Sequence, residues 1–334
     1  MTFFSGKCKT WRYGGLLVTL TAAFFVLSAV MPSVCFSFTE SDLNELRSTN
    51  SSLAQLREYR DDEPALKAKL RVLDVINSDR ARNGLGPLKL DVLASRVANK
   101  AALVAARGKY HGHWDLNGEK PYHRYAAAGG TDHVSENAYT KWCSADLSCG
   151  REDVLGYMVE GHRVFMGERP PYDGHRRNVL DPWHTHVGLG SAIVGGDFRY
   201  YEEYIDRYVE LEPVPSDVKA GGRVSVSGRV VTPGFGAYYA IVYYEPYPAP
   251  MTPDEVNGHG SYPDYTDTVA AQIPYWEMDC KDNARQFSFS FNTKRKGLYY
   301  IQIFIKTGHT GKSDELYVST EGLPAVSGIV VRAH

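Results

Sequence analysis

Two histidines and two glutamates, His113, Glu136, Glu168 and His175, lie within residues 109–182 of this 334-residue chain. Eight of the eleven histidines, at positions 111, 113, 123, 133, 162, 175, 184 and 186, fall between residues 111 and 186. Uniform scatter would not concentrate them so. Imidazoles and carboxylates are the side chains that bind divalent cations or move protons near neutral pH. A neutral imidazole offers a metal one lone pair. A carboxylate offers anionic oxygen, or fixes the other ring nitrogen of the histidine. Two of each would make a site for zinc or another divalent cation, or, without metal, a hydrogen-bonded tetrad that braces a cleft. No serine, cysteine or threonine stands out as a nucleophile beside a base. A hydrolase built here would activate water through a metal or a glutamate.

Other patterns compete with this one. His111, His113 and Asp115 fit the H-x-H-x-D opening of a metallo-β-lactamase site, but Leu116 stands where that motif needs histidine. His184 and His186 alternate on an expected strand, so both should face one way in a structural role. Gly188 and Gly190 begin a dinucleotide-like GxG, yet Ile193 takes the third glycine position. Glycine there serves close packing better.

The elements that must position these groups follow from periodicity. Residues 38–62 read as a surface helix or spacer. Leu66, Leu70, Leu73 and Ile76 recur at helical spacing, and Gly84, Gly86 and Pro87 stop that helix. Asp91 can cap the next helix, whose stripe is Leu93, Val97, Ala101 and Val104. A further helix is expected over residues 153–166, and then a hairpin turning at Gly195, Gly196 and Asp197. The string EPVPSDVKAGG marks a linker at residues 213–220. Beyond it, RVSVSGRVV, AYYAIVYYE, TVAAQIP, QFSFSFN, GLYYIQIFIK, ELYVST and AVSGIVVRA read as strands of an immunoglobulin-like sandwich over residues 221–334. Tyr299, after Gly297, suits the penultimate-strand tyrosine of such folds. The loop over residues 246–265 is the expected binding loop of this part. Its paired tyrosines should cover a surface between domains or stack on sugars.

Composition, at 43% hydrophobic and 23% charged, is that of a globular protein, and the length suits two domains. A net charge of −2 gives no basic excess for nucleic acid. Lys7, Lys9 and Arg12 precede an uncharged run over residues 13–37, which reads as an export signal. The expectation is a secreted or periplasmic protein. Retention of residues 14–36 as a membrane anchor is the second reading, and lipidation at Cys35 the third. Cys143 and Cys149 bracket a short loop and suit a local disulfide or two free thiols, leaving Cys280 odd.

The strings INSDRARNGLGPLKLD, GHWDLNGEKPYHRYAAAG, SENAY and GHRRNVLDPWHTHVGLG, in that order, resemble the CAP superfamily of cysteine-rich secretory, antigen 5 and pathogenesis-related proteins, in its bacterial form. The resemblance spans residues 65–211 and leaves the last third uncovered. It implies an α+β fold, an α-β-α sandwich with a shallow cleft, for a domain at residues 63–212. It also implies that His113, Glu136, Glu168 and His175 line that cleft and, in some relatives, hold a metal. Phe165 stands where the family usually has tryptophan, and many bacterial relatives have serine at the place of Glu168. Glu160 and His162 imitate the same passage and are the alternatives to Glu168 and His175. Only His175 is followed by NVLDP. The resemblance gives Arg124 a buried acid as its partner, and Asn137 can satisfy loop carbonyls. His111, Asn137 and Tyr172 are candidates for ligand contact. The function expected is non-enzymatic binding of an envelope or extracellular ligand, whether lipid, glycan or protein. A metal-dependent hydrolase and a purely structural tetrad are the alternatives.

Overall fold

A computed structural model of the chain describes residues 38–142, 153–263, 268–312 and 317–334. The first helix, α1 (Glu40–Ser52), begins with a capping box: Asp42 donates its amide to the Thr39 hydroxyl and its carboxylate takes the Thr39 amide. Leu43 is buried against the next helix, and a 3-10 turn (Arg57–Tyr59) follows. Residues 38–62 are therefore a docked element and not a free spacer. Helix α2 (Glu63–Arg82) buries Leu66, Leu70, Leu73 and Ile76, the face its spacing dictates. Gly84, at φ 76°, turns the chain out of it. Strand β1 (Lys89–Leu90) leads to α3 (Val92–Gly108), where Asp91 caps by accepting the Ala94 amide at 2.7 Å. Then come α4 (Pro121–Ala127), β2 (His133–Trp142), α5 (Val154–Gly167), α6 (Gly174–Val179), β3 (His186–Val194) and β4 (Asp197–Asp206). Gly195 and Gly196, both at positive φ, make the turn between the last two.

These strands form a sheet in the order β1-β3-β4-β2, antiparallel except where β1 meets β3. Alternate residues of β4 face opposite layers. Phe198, Tyr200 and Tyr204 pack with side chains of α2 and α5, whereas Tyr201 packs with the alanines of α3. The helix α3 lies close because β3 has glycine beneath it. A Cβ on Gly190 would stand 2.1 Å from the Ala98 carbonyl carbon, and one on Gly188 would stand 2.3 Å from that of Ala94. The two glycines thus serve packing, as their sequence context suggests.

The remaining elements are β5 (Val209–Leu211), β6 (Asp217–Val218), β7 (Arg223–Val230), β8 (Phe235–Glu245), α7 (Pro253–Gly258), β9 (Val269–Pro274), β10 (Asp279–Lys281), β11 (Gln286–Asn292), β12 (Gly297–Thr307) and β13 (Ile329–Ala333). They make two sheets, β10-β11-β7-β5 and β6-β13-β12-β8-β9. Val224, Val226, Phe289 and Phe291 of the first sheet meet Val242, Ile301, Ile303 and Val331 of the second. Two expectations need correction. The segment read as a linker contains β6, whose residues pair with the end of β13. Residues 317–320 form no strand, and AVSGIVVRA is a strand only from Ile329. Before that point the Ser327 hydroxyl replaces ladder bonds, accepting the Ile303 amide and donating to the Ile301 carbonyl.

Two of the tyrosine pairs divide between two surfaces because neighbours on a strand point oppositely. Tyr299 and Tyr244 pack on the core between the sheets, while Tyr300 and Tyr243 pack with Tyr122, Tyr125, Val134 and Ile205. The third pair, Tyr238 and Tyr239, does not divide, because a bulge at Tyr238 breaks the alternation and turns both rings to that same layer. Tyr122 stacks on Tyr300 with centroids 4.2 Å apart. Glu245 anchors this contact by accepting hydrogen bonds from Lys120 and the Tyr122 hydroxyl. Burial would raise the Glu245 carboxyl, but His123, Tyr122 and Lys120 hold it down at about 2. Residues 38–334 consequently belong to one compact unit.

Candidate functional site

Strand β2 is an edge strand, and it carries the first half of the site. Glu136 is fully buried, accepts from His113 Nδ1 at 2.8 Å, and takes a hydrogen bond from Arg124 Nη2 on its other oxygen. Arg124 Nη1 also donates to the His113 carbonyl at 2.7 Å, so one guanidinium fixes both members of the pair. Arg124 has the buried acid partner expected of it. Burial would push Glu136 up, but Arg124 and His113 prevail and hold its carboxyl below the usual range.

The second half is built where α5 gives way to α6. Glu168 accepts the backbone amides of His175 at 2.9 Å and Arg176 at 3.3 Å, and accepts from His175 Nδ1 at 2.5 Å. Phe165, in the place of the family tryptophan, packs on the His175 ring at 4.9 Å. The two imidazoles face each other across 6.0 Å between centroids. Each has Nδ1 committed to a carboxylate, which leaves Nε2 for a ligand.

The remaining sequence candidates take distinct places. Asn137 lines the cleft and donates to the His175 carbonyl at 3.2 Å, a carbonyl of α6 and not of a loop. His111 sits at the cleft edge, its amide bonded to Asn257 Oδ1. Tyr172 is 85% exposed on the rim. Asp115 accepts the amides of Asn117 and Glu119, a turn brace and not a ligand. Glu160 pairs with Lys141 and Tyr139, and His162 is buried between Asp79 and Glu202. Neither lines the cleft. His184 precedes β3 and does not alternate with His186 on it. Its ring bonds Asp206 and Asn178, whereas the His186 ring meets Thr185. Cys143 and Cys149 lie outside the described residues, as does the export segment. Among the described residues Cys280 is a free thiol, and burial raises it.

Behind the cleft runs a chain of hydrogen bonds that sequence reasoning missed. His133 and His184 share Asp206; His184 meets Asn178; Asn178 donates to Asn137; Asn137 donates to Glu202; Glu202 holds His162, which reaches Asp79. Burial would lower His162, but Glu202 and Asp79 raise it to about 9, so it is an imidazolium at neutral pH. Glu203, directly across from Glu136, is raised well above the carboxylate range by burial and by the Glu136 charge. Both causes favour its protonated form.

The cleft encloses about 760 Å³. One wall comes from the loop between β8 and β9: His259, Gly260, Ser261 and Tyr262. Tyr262 lies 5.0 Å from the His113 ring, and His259 packs on Trp114 at 4.8 Å. The loop is tied down by the Met251 amide, which donates to the Leu116 carbonyl at 2.8 Å. Its length and its proline and glycine content singled it out in the sequence. Nothing there said it would cross onto the first domain.

As to what the four side chains could hold, two anchored imidazoles suit a divalent cation. The carboxylates are spent on the imidazoles, however. Among the described residues no group of three or more His, Cys, Asp or Glu converges as a cation cage. The four side chains expected to share the site are brought together as two dyads, each with its carboxylate on an imidazole Nδ1.

Residues 73–204 match the profile of the Cysteine-rich secretory protein family, CAP. The chain is 22% identical over 134 residues to the uncharacterized protein YkwD of Bacillus subtilis (strain 168), covering 37% of this chain and 42% of that relative. It thus spans less than half of that relative's length. Among solved structures it is similar to an extracellular protein containing a SCP domain from Bacillus anthracis, at 20% identity and a TM-score of 0.30, over 41% of this chain and 39% of that one. It is also similar to an outer surface protein from Borrelia burgdorferi, at 14% identity and a TM-score of 0.34, over 42% of this chain and 93% of that one. The chain carries a CAP superfamily domain of bacterial type.

Proposed function

We propose that this is an exported binding protein whose cleft recognises an extracellular or envelope ligand, a lipid, glycan or protein. The observation that carries the reading is the facing pair of dyads, His113–Glu136 and His175–Glu168, in an open cleft of about 760 Å³. Such a site has fixed polar groups and room for a ligand. Ser135, one of the hydroxyls lining the cleft, donates to Asn178 and not to an imidazole. Export rests on the basic and apolar character of residues 1–37. An immunoglobulin-like class for the two-sheet part is supported by Tyr299, whose hydroxyl accepts the Lys294 and Arg295 amides and donates to the Arg295 carbonyl. A Cys143–Cys149 disulfide belongs to the same reading.

The His113 and His175 Nε2 atoms would hold zinc or another divalent cation, which would polarise a bound water or ligand oxygen. A metal-dependent hydrolase is the second reading. The anchored imidazoles favour it, since carboxylate–histidine pairs are the usual outer support of metal ligands. The test is co-sedimentation of the protein with vesicles of envelope lipid and with insoluble envelope glycan, beside a His113→Ala, His175→Ala variant. Binding reduced in the variant supports the cleft as the recognition site; equal binding by both proteins refutes it. Zinc content of the two proteins, with ester and peptide hydrolysis scored in parallel, decides the second reading.

A further inference from the structure

Among the described residues lining the cleft there is no valine, leucine, isoleucine, methionine or phenylalanine, and Ala138 is the one aliphatic side chain. A groove for an acyl chain or a sterol gains its affinity from apolar lining that leaves water. The apolar surface of this cleft comes from Ala138 and from the faces of its rings, with no aliphatic stripe to take an acyl chain. It presents the hydroxyls of Thr140 and Ser261, beside Ser135, Asn137 and Asn178, whose polar groups already bond one another. Most of its charges meet partners: Glu136 with Arg124 and His113, Glu168 with His175, Arg177 with Asp173, while the lone carboxylate Asp181 accepts the Trp183 amide. No array of like charge remains to grip a phosphate or sulfate ligand. Two aromatic rings complete the surface. Tyr172 stands 85% exposed on the connection from α5 to α6, and Tyr262 projects from the loop of the two-sheet part. Tyr262 is backed by its contact with His113, and the Trp114–His259 pair stiffens the same wall.

Neutral hydrogen-bonding groups beside aromatic faces are the complement of a pyranose. Its C–H face lies on a ring while its hydroxyls meet amides and hydroxyls at the edge. A volume of about 760 Å³ admits a short chain of such units. We infer that the cleft is a saccharide site for an uncharged oligosaccharide, with Tyr172 and Tyr262 as stacking platforms. The inference rests on the binding reading above and narrows it to one ligand class. It also gives the two-sheet part a direct share in recognition.

The test is isothermal titration of the purified protein with chitotetraose, cellotetraose and maltotetraose, to concentrations that would detect a Kd of roughly 1 mM. Vesicles of phosphatidylglycerol and phosphatidylethanolamine are the lipid arm. Tyr172→Ala is the first variant, since its side chain lies in water and its loss leaves the fold intact. Tyr172→Phe is the second. The expected result is a saccharide bound by the wild type, weakened at least about tenfold by Tyr172→Ala and retained by Tyr172→Phe. Two results would overturn the saccharide assignment. If the vesicles bind, the sugars do not, and Tyr172→Ala releases the vesicles, the cleft-binding reading survives without it. If neither class binds, or binding ignores both Tyr172→Ala and His113→Ala, the saccharide assignment also fails, and binding that ignores both variants takes the cleft reading with it.

Discussion

Tyr262 and Glu136 are 126 residues apart, yet the Glu136 amide donates a hydrogen bond to the Tyr262 hydroxyl at 3.0 Å. Because β2 is an edge strand, this amide has no ladder partner on its outer side. A side chain from another layer supplies the acceptor. Tyr262→Phe should therefore lower stability by about 1 kcal/mol, with larger loss if the amide is left dry. Urea denaturation of the two proteins checks this; an unchanged midpoint would mean that water replaces the hydroxyl without cost.

The buried imidazolium at His162 makes stability depend on pH. Its folded pKa of about 9 lies above the unfolded value, so its contribution is complete below roughly pH 6.5 and is lost as pH rises through 9. Unfolding midpoints measured across that window should fall with a steeper slope in the wild type than in His162→Gln, by up to about one proton. Parallel slopes would show that His162 is neutral in the folded protein.

Glu136 and Glu203 face each other across β2 and β4, and their carboxyls are pushed in opposite directions: Arg124 and His113 hold Glu136 down, while burial and the Glu136 charge push Glu203 up. Glu203→Gln should change stability by less than about 1 kcal/mol at neutral pH, since a neutral acid is replaced by a neutral amide. Arg124→Met should cost roughly 3–5 kcal/mol, because it leaves the Glu136 charge buried without its cation. Adding Glu136→Gln to Arg124→Met should recover part of that loss. Guanidinium titrations of the variants give the comparison, and a costly Glu203→Gln would place the charge on Glu203.

Gly190 has no room for a methyl group against α3. Gly190→Ala must push the helix off the sheet and should lower stability by about 3 kcal/mol or more. Calorimetry of the variant would show the effect, and a melting temperature like that of the wild type would mean that α3 moves freely.

Much of the first domain was legible because its signals are local. The spacing of Leu66 to Ile76, the cap at Asp91 and the double glycine at 195 and 196 each fix an element from within a few residues. The four cleft residues were legible through short motifs, and NVLDP after His175 chose it over His162. What stayed hidden was long-range. Asn178, Asp206 and Glu202 look like ordinary polar residues until β2, β4 and α6 converge. The split of the tyrosine pairs was readable as alternation, but the layer that each ring would meet was not.

The loop that closes the cleft has a consequence for assembly. A chain is made from its amino terminus, so the first domain emerges before the two-sheet part. When residue 211 is free, the residues of both histidine–carboxylate dyads are present, but one wall and the acceptor for the Glu136 amide are still to come. The cleft is therefore complete only once the two-sheet part has folded. A molecule truncated after its first domain would carry the four motifs intact and present a half-built cleft.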